Sequence, residues 1–133
     1  MADQQSVNKR RLLRHLLPQN NTGSWAWLLH RLTGVALAVY LLPHFMTIYN
    51  ARQGPEALDS ALAWYTGPLI ALSEWVLIMA VAFHAFNGLR LIAMDFLDLS
   101  HRQKALFWLA MAGCLLVFIG ATFVFLPKIL GPI

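Results

Sequence analysis

The chain has 133 residues, of which 59% are hydrophobic and 12% charged, with a formal net charge of +4 and a mean hydropathy of +0.58. A soluble domain carries about 25% charged residues, so this composition excludes an ordinary water-soluble fold and suits a bilayer. The segments outside the apolar stretches are too short to fold around a nucleotide, a flavin or an iron–sulfur cluster, and the single cysteine, Cys114, supplies neither an intrachain disulfide nor a cluster ligand set.

The first 24 residues form a basic, amphipathic segment on the cytoplasmic side. Lys9, Arg10, Arg11 and Arg14 stand just ahead of the first apolar run, where they act as an orientation determinant rather than a nucleic-acid signal. Leu12, Leu13, Leu16 and Leu17 interleave with Arg11, Arg14 and His15, which predicts a short interfacial helix. Pro18 and the polar stretch 19–24 end it, and Thr22 or Ser24 is placed to cap the next helix. The apolar run that follows is too long for a signal peptide and has no small-residue cleavage site.

Three apolar stretches follow, at about 25–49, 68–96 and 105–126, which predicts an all-α membrane protein with three transmembrane helices. Each exceeds the ~20 residues that cross a ~30 Å hydrocarbon core at 1.5 Å per residue. Trp25, Trp27, Tyr49, Trp64, Tyr65 and Trp108 lie near the ends, as interfacial aromatics do. The connector 51–65 has Arg52 against Glu56 and Asp59, which fits an outer loop. The basic run His101-Arg102-Gln103-Lys104 fits an inner one. The N-terminus is therefore expected in the cytoplasm and the C-terminus outside, with residues 127–133 as an outer tail. The third stretch has neither charge nor histidine. Gly113 and Gly120 mark it as a packing helix, and Cys114 reads as a small core residue.

The first two stretches hold ionisable groups that are expensive in lipid and by default mark function. The first has His30, Arg31 and His44; the second has Glu74, His84 and Arg90, with Asp95 at its inner end. Helical rise sets His30 roughly 6 Å, His84 roughly 12 Å and His44 roughly 27 Å from the inner boundary. Imidazole is the axial ligand that a b-type haem needs, and a helix bundle can hold the porphyrin. His84 has Gly88 one turn later, where the missing side chain leaves room for a flat macrocycle. Arg31 and Arg90, near the inner surface, suit haem propionates or a quinone carbonyl. Against the ligand reading, an intramembrane histidine can also bond a neighbouring helix or serve a proton path. Both roles stay open for His44, which follows Pro43 and nears the outer interface. His30 at the inner boundary suits a polar structural role, and Glu74 suits contact with water near the outer end.

Two segments carry a resemblance to a known family. His30-Arg31-Leu32-Thr33-Gly34-Val35 resembles the "HR-x-[ST]-G" signature of the cytochrome b subunit of succinate dehydrogenase. His84-Ala85-Phe86-Asn87-Gly88-Leu89-Arg90, followed by Asp95-Phe96, resembles its "H-x3-G-x-R … DF" signature. The resemblance covers about residues 24–126. It implies that His84 is an axial ligand of haem b, with the opposite ligand from a second small membrane-anchor subunit. It implies that Arg31 lines a quinone site at the inner membrane surface, with His30 close to the haem propionates. His44 falls where two-haem relatives carry a ligand for an outer haem, so the family pattern admits one haem or two. The chain departs from many one-haem members at Trp27, where they have a serine assigned to quinone binding. Ser24 lies a turn further out, and Trp27 is placed to shape the pocket mouth.

The function so implied is that of a non-catalytic anchor in a bacterial cytoplasmic membrane. Electrons from succinate would pass through a flavoprotein subunit and an iron–sulfur subunit to a membrane quinone, around cofactors that carry the chemistry. A fumarate reductase anchor shares this design. From other classes, a small proton-coupled transporter using Glu74 and a colourless assembly scaffold are the competing readings.

Overall fold

A computed structural model describes residues 22–131, and within them the chain is helical. The order is α1 (Thr22–Gln53), α2 (Pro55–Leu62), α3 (Pro68–Phe96), a 3-10 turn (Ser100–Arg102) and α4 (Gln103–Leu130). Helices α1, α3 and α4 are each long and apolar enough to cross a membrane. The basic cluster and the interfacial helix expected before residue 22 lie outside the described residues.

Two of the helix starts share one local device. Gly54 (φ 124°) precedes Pro55, and Gly67 (φ 101°) precedes Pro68. A side chain with a Cβ would resist those dihedrals, whereas glycine adopts them freely. Proline then supplies a helix-ready φ at a first-turn position, where an N–H would lack a partner anyway. Pro43 lies inside α1, yet the helix runs through it, and the Thr47 hydroxyl donates to the Pro43 carbonyl at 3.1 Å. The described helices outrun the expected apolar stretches at both ends of α1 and α4, because helical hydrogen bonding continues into the interface beyond the hydrocarbon-length segment. Within the connector 51–65, residues 55–62 form the short helix α2, with Glu56 and Asp59 exposed. Eight residues are too short for a periodic signal to stand out.

The core is small. Among the described residues the buried apolar ones are four alanines, Ala26, Ala71, Ala82 and Ala110, while leucines, valines and phenylalanines cover the outside. Small side chains let helices approach where lipid gives no hydrophobic drive for association, and the large apolar ones face acyl chains or other subunits. Helix α3 is the centre of the packing, against α4 more extensively than against α1. Gly113 of α4 meets the Phe86 ring of α3, where an added Cβ would lie 2.8 Å from Cε1 and Cζ. Gly120, expected to help in the same packing, has nothing near it among the described residues. Toward the other end of the same pair, Trp75 Nε1 donates to the Thr122 hydroxyl at 3.2 Å and Trp75 meets Phe118 edge-on at 5.4 Å. Cys114 is a half-buried free thiol.

Candidate functional site

Two histidines from different helices meet at the α1–α3 crossing. The His30 and His84 rings stack with centroids 4.0 Å apart and planes 7° from parallel. Glycine makes the crossing possible from both sides. A Cβ on Gly34 would lie 3.0 Å from His84 Cε1, and one on Gly88 would lie 3.5 Å from His30 Cε1. Each glycine is four residues beyond its own helix's histidine, on the same face, so each helix offers one imidazole and one hollow for the other's. Gly88, expected to leave room for a macrocycle, faces the His30 ring.

The Nδ1 atom of His84 is 3.2 Å from the His30 carbonyl oxygen and 3.3 Å from Thr33 Oγ1. Thr33 Oγ1 in turn lies 2.8 Å from the Leu29 carbonyl oxygen and 3.0 Å from that of His30. His30 Nδ1 is buried and has no partner among the described residues.

Arg31 and Trp27 form a separate pair on the exposed side of α1. The guanidinium carbon of Arg31 sits 3.9 Å above the Trp27 ring centroid, a cation–π contact that steadies a long side chain. Ser24 lies one turn before Trp27 on the same helix and is half-buried. Arg90 goes elsewhere. It is 7% exposed, its Nη1 donates to Asn87 Oδ1 at 3.1 Å, and its guanidinium lies 5.6 Å from the Phe107 ring of α4. Six residues of helix turn it about 120° away from His84. The structure thus brings His30, His84 and Gly88 together, pairs Arg31 with Trp27, and sets Arg90 between α3 and α4.

His44 belongs to a second region. Its ring stacks on Tyr40 at 5.7 Å and makes no hydrogen bond among the described residues. It opens on a groove of about 360 Å³ between α1, α2 and the start of α3, lined also by Thr47, Tyr65, Ser73 and Glu74. Glu74 is exposed in the first turns of α3.

Thr33 and Asn87, which stand inside the two motifs, carry site contacts that their residue types alone do not announce. A hydroxyl three residues after a histidine, and an amide three residues before a buried arginine, are the signals that would have found them, since (i, i+3) pairs share a helix face.

Comparison with known proteins identifies the family. The family model described as "Succinate dehydrogenase/Fumarate reductase transmembrane subunit" matches residues 6–121. The chain is 32% identical over 117 residues to the succinate dehydrogenase 2 membrane subunit of Mycobacterium tuberculosis, covering 87% of this chain and 86% of that one. It is 33% identical over 76 residues, 56% of this chain and 58% of the relative, to the succinate dehydrogenase hydrophobic membrane anchor subunit of Halobacterium salinarum. The corresponding subunit of Archaeoglobus fulgidus is 36% identical over 74 residues, covering 53% of this chain and 60% of that protein. With three membrane-length helices and a family match over most of its length, the chain is a multi-pass membrane protein of the succinate dehydrogenase/fumarate reductase transmembrane subunit family.

Proposed function

We propose that the chain is the cytochrome b anchor of a succinate dehydrogenase. It holds haem b through His84 and forms part of a quinone-reduction site at the inner membrane surface. Three relatives bearing succinate dehydrogenase names support succinate oxidation as the direction. The observation that carries the haem reading is the state of His84. Its δ nitrogen faces two oxygens while no hydrogen bond engages its ε nitrogen among the described residues. An imidazole so held suits a metal-bound histidine, whose second nitrogen is tied to a neighbour. The unpartnered His30 Nδ1 is a buried polar atom on the same crossing, which suits a propionate or a bound polar group. When bound, the haem supplies a one-electron relay beside the quinone.

The other residues divide the work around it. Arg31, steadied on Trp27, presents an always-charged donor to a quinone oxygen or a propionate, and Ser24 adds a hydroxyl one turn away. Arg90 contributes positive charge from within the α3–α4 packing rather than by direct contact. A second, outer haem on His44 is supported by the free ring nitrogens of that residue beside the groove. A second membrane-anchor subunit would supply the remaining residues that hold the haem, and succinate-oxidising flavoprotein and iron–sulfur subunits would dock on the cytoplasmic side. The host membrane is the bacterial cytoplasmic membrane. Membranes enriched in the overexpressed complex should show a b-type absorption band reducible by succinate. A colourless, quinone-active complex would overturn the haem assignment.

A further inference from the structure

We infer that Thr33 and Gly34 are positioning residues for the His84 imidazole, fixing which nitrogen faces a metal and how the ring plane is turned. The inference rests on the haem reading above, but it concerns contacts within this chain. The His30 carbonyl oxygen, 3.2 Å from His84 Nδ1, can only accept. The single proton of the Thr33 hydroxyl is directed at the carbonyls of Leu29 and His30, at 2.8 and 3.0 Å, leaving an oxygen lone pair toward Nδ1 at 3.3 Å. With acceptors on both sides, Nδ1 carries the proton. The alternative tautomer would set a nitrogen lone pair against a carbonyl lone pair. Nε2 therefore keeps its lone pair, the atom a ferrous or ferric iron takes.

Ring rotation is blocked as well. His30 covers one face of His84 at 4.0 Å, and the α carbon of Gly34 closes on the Cε1 edge, where a methyl group would meet it at 3.0 Å. That spacing is tight enough that alanine would have to push the imidazole aside. An Nδ1–H held by oxygen acceptors makes the imidazole a stronger donor, which favours the ferric state and lowers the haem's potential. Removing one of the two acceptors moves the potential upward.

The test uses the assembled complex purified from its membrane, with two readouts other than turnover: the haem midpoint potential and the low-spin ferric electron paramagnetic resonance signal. Thr33→Val keeps the side-chain volume and deletes the acceptor. It should raise the midpoint by up to ~59 mV, a tenfold change in the ratio of ferric to ferrous affinity for a one-electron couple. Thr33→Ser should restore the wild-type value, and Gly34→Ala should shift the resonance signal or release haem. Thr33→Ala deletes the hydroxyl without adding an atom, so it reads the same contact if the valine variant does not assemble. Potential and resonance signal unchanged in haem-loaded Thr33→Val or Thr33→Ala would overturn the inference while leaving ligation by His84 intact. Full haem retention in His84→Ala would instead remove the reading on which it rests.

Discussion

Replacing Asn87 by leucine should destabilise the chain more than its modest chemistry implies, and removing Arg90 at the same time should largely reverse the loss. Asn87 is 0% exposed and Arg90 7% exposed, and Asn87 Oδ1 is the hydrogen-bond acceptor of the guanidinium among the described residues. Arg90 Nε is buried without a partner there, so the cation has little else to fall back on. Two magnitudes compete. Side-chain hydrogen bonds between membrane helices average only ~0.6 kcal/mol, whereas a hydrogen bond to a charged group contributes about 1.5–3 kcal/mol. The second applies, because deleting the acceptor strands a buried charge instead of a neutral group that can find another partner. Asn87→Leu should therefore cost about 2 kcal/mol, roughly a 30-fold change in equilibrium constant. Arg90→Met together with Asn87→Leu replaces both partners by apolar groups, which can be nearly neutral. The assay is a double-mutant cycle on the purified complex, titrated with denaturing detergent and followed by loss of assembled anchor. Additive single-variant effects, with no rescue in the double variant, would show that Asn87 and Arg90 do not act as a pair.

The remaining predictions are local. Gly113→Ala drives a methyl group into the Phe86 ring and should cost ~1–3 kcal/mol by overpacking, with recovery when Phe86→Leu is added; the same detergent titration reads it. Trp75→Phe loses the hydrogen bond to Thr122 and should lower stability by only ~0.6 kcal/mol, since a neutral pair in lipid contributes little. Arg31→Leu should reduce succinate-to-quinone activity while leaving succinate-to-dye activity of the peripheral subunits unchanged. Equal loss of both would mark an assembly defect.

Three helices were legible because ~20-residue apolar runs have few other fates, and the second was bounded at its residues 68 and 96 by a Gly-Pro start and a polar end. Helix α2 was not, because eight residues in a polar connector carry no periodic signal. The histidines stood out as ionisable groups within apolar stretches. Their stacking could not be read from either helix alone, since it depends on how α1 and α3 cross, and the sequence says only that Gly88 leaves space beside His84. Arg90 shows the limit in the other direction. Its motif position says it is near His84 along the chain, but helical geometry turns it toward α4, where Phe107 and Asn87 receive it. Thr33 and Asn87 are ordinary polar residues whose importance arises only from what the neighbouring carbonyl or cation requires.

The most direct test of the central claim is haem quantification with reduced-minus-oxidised spectra on the purified complex from wild type, His84→Ala and His44→Ala. His84→Ala should lose a b-type component while the complex still assembles, and His44→Ala should lose a different one. A His84→Ala complex with full haem content and an unaltered spectrum would contradict that claim.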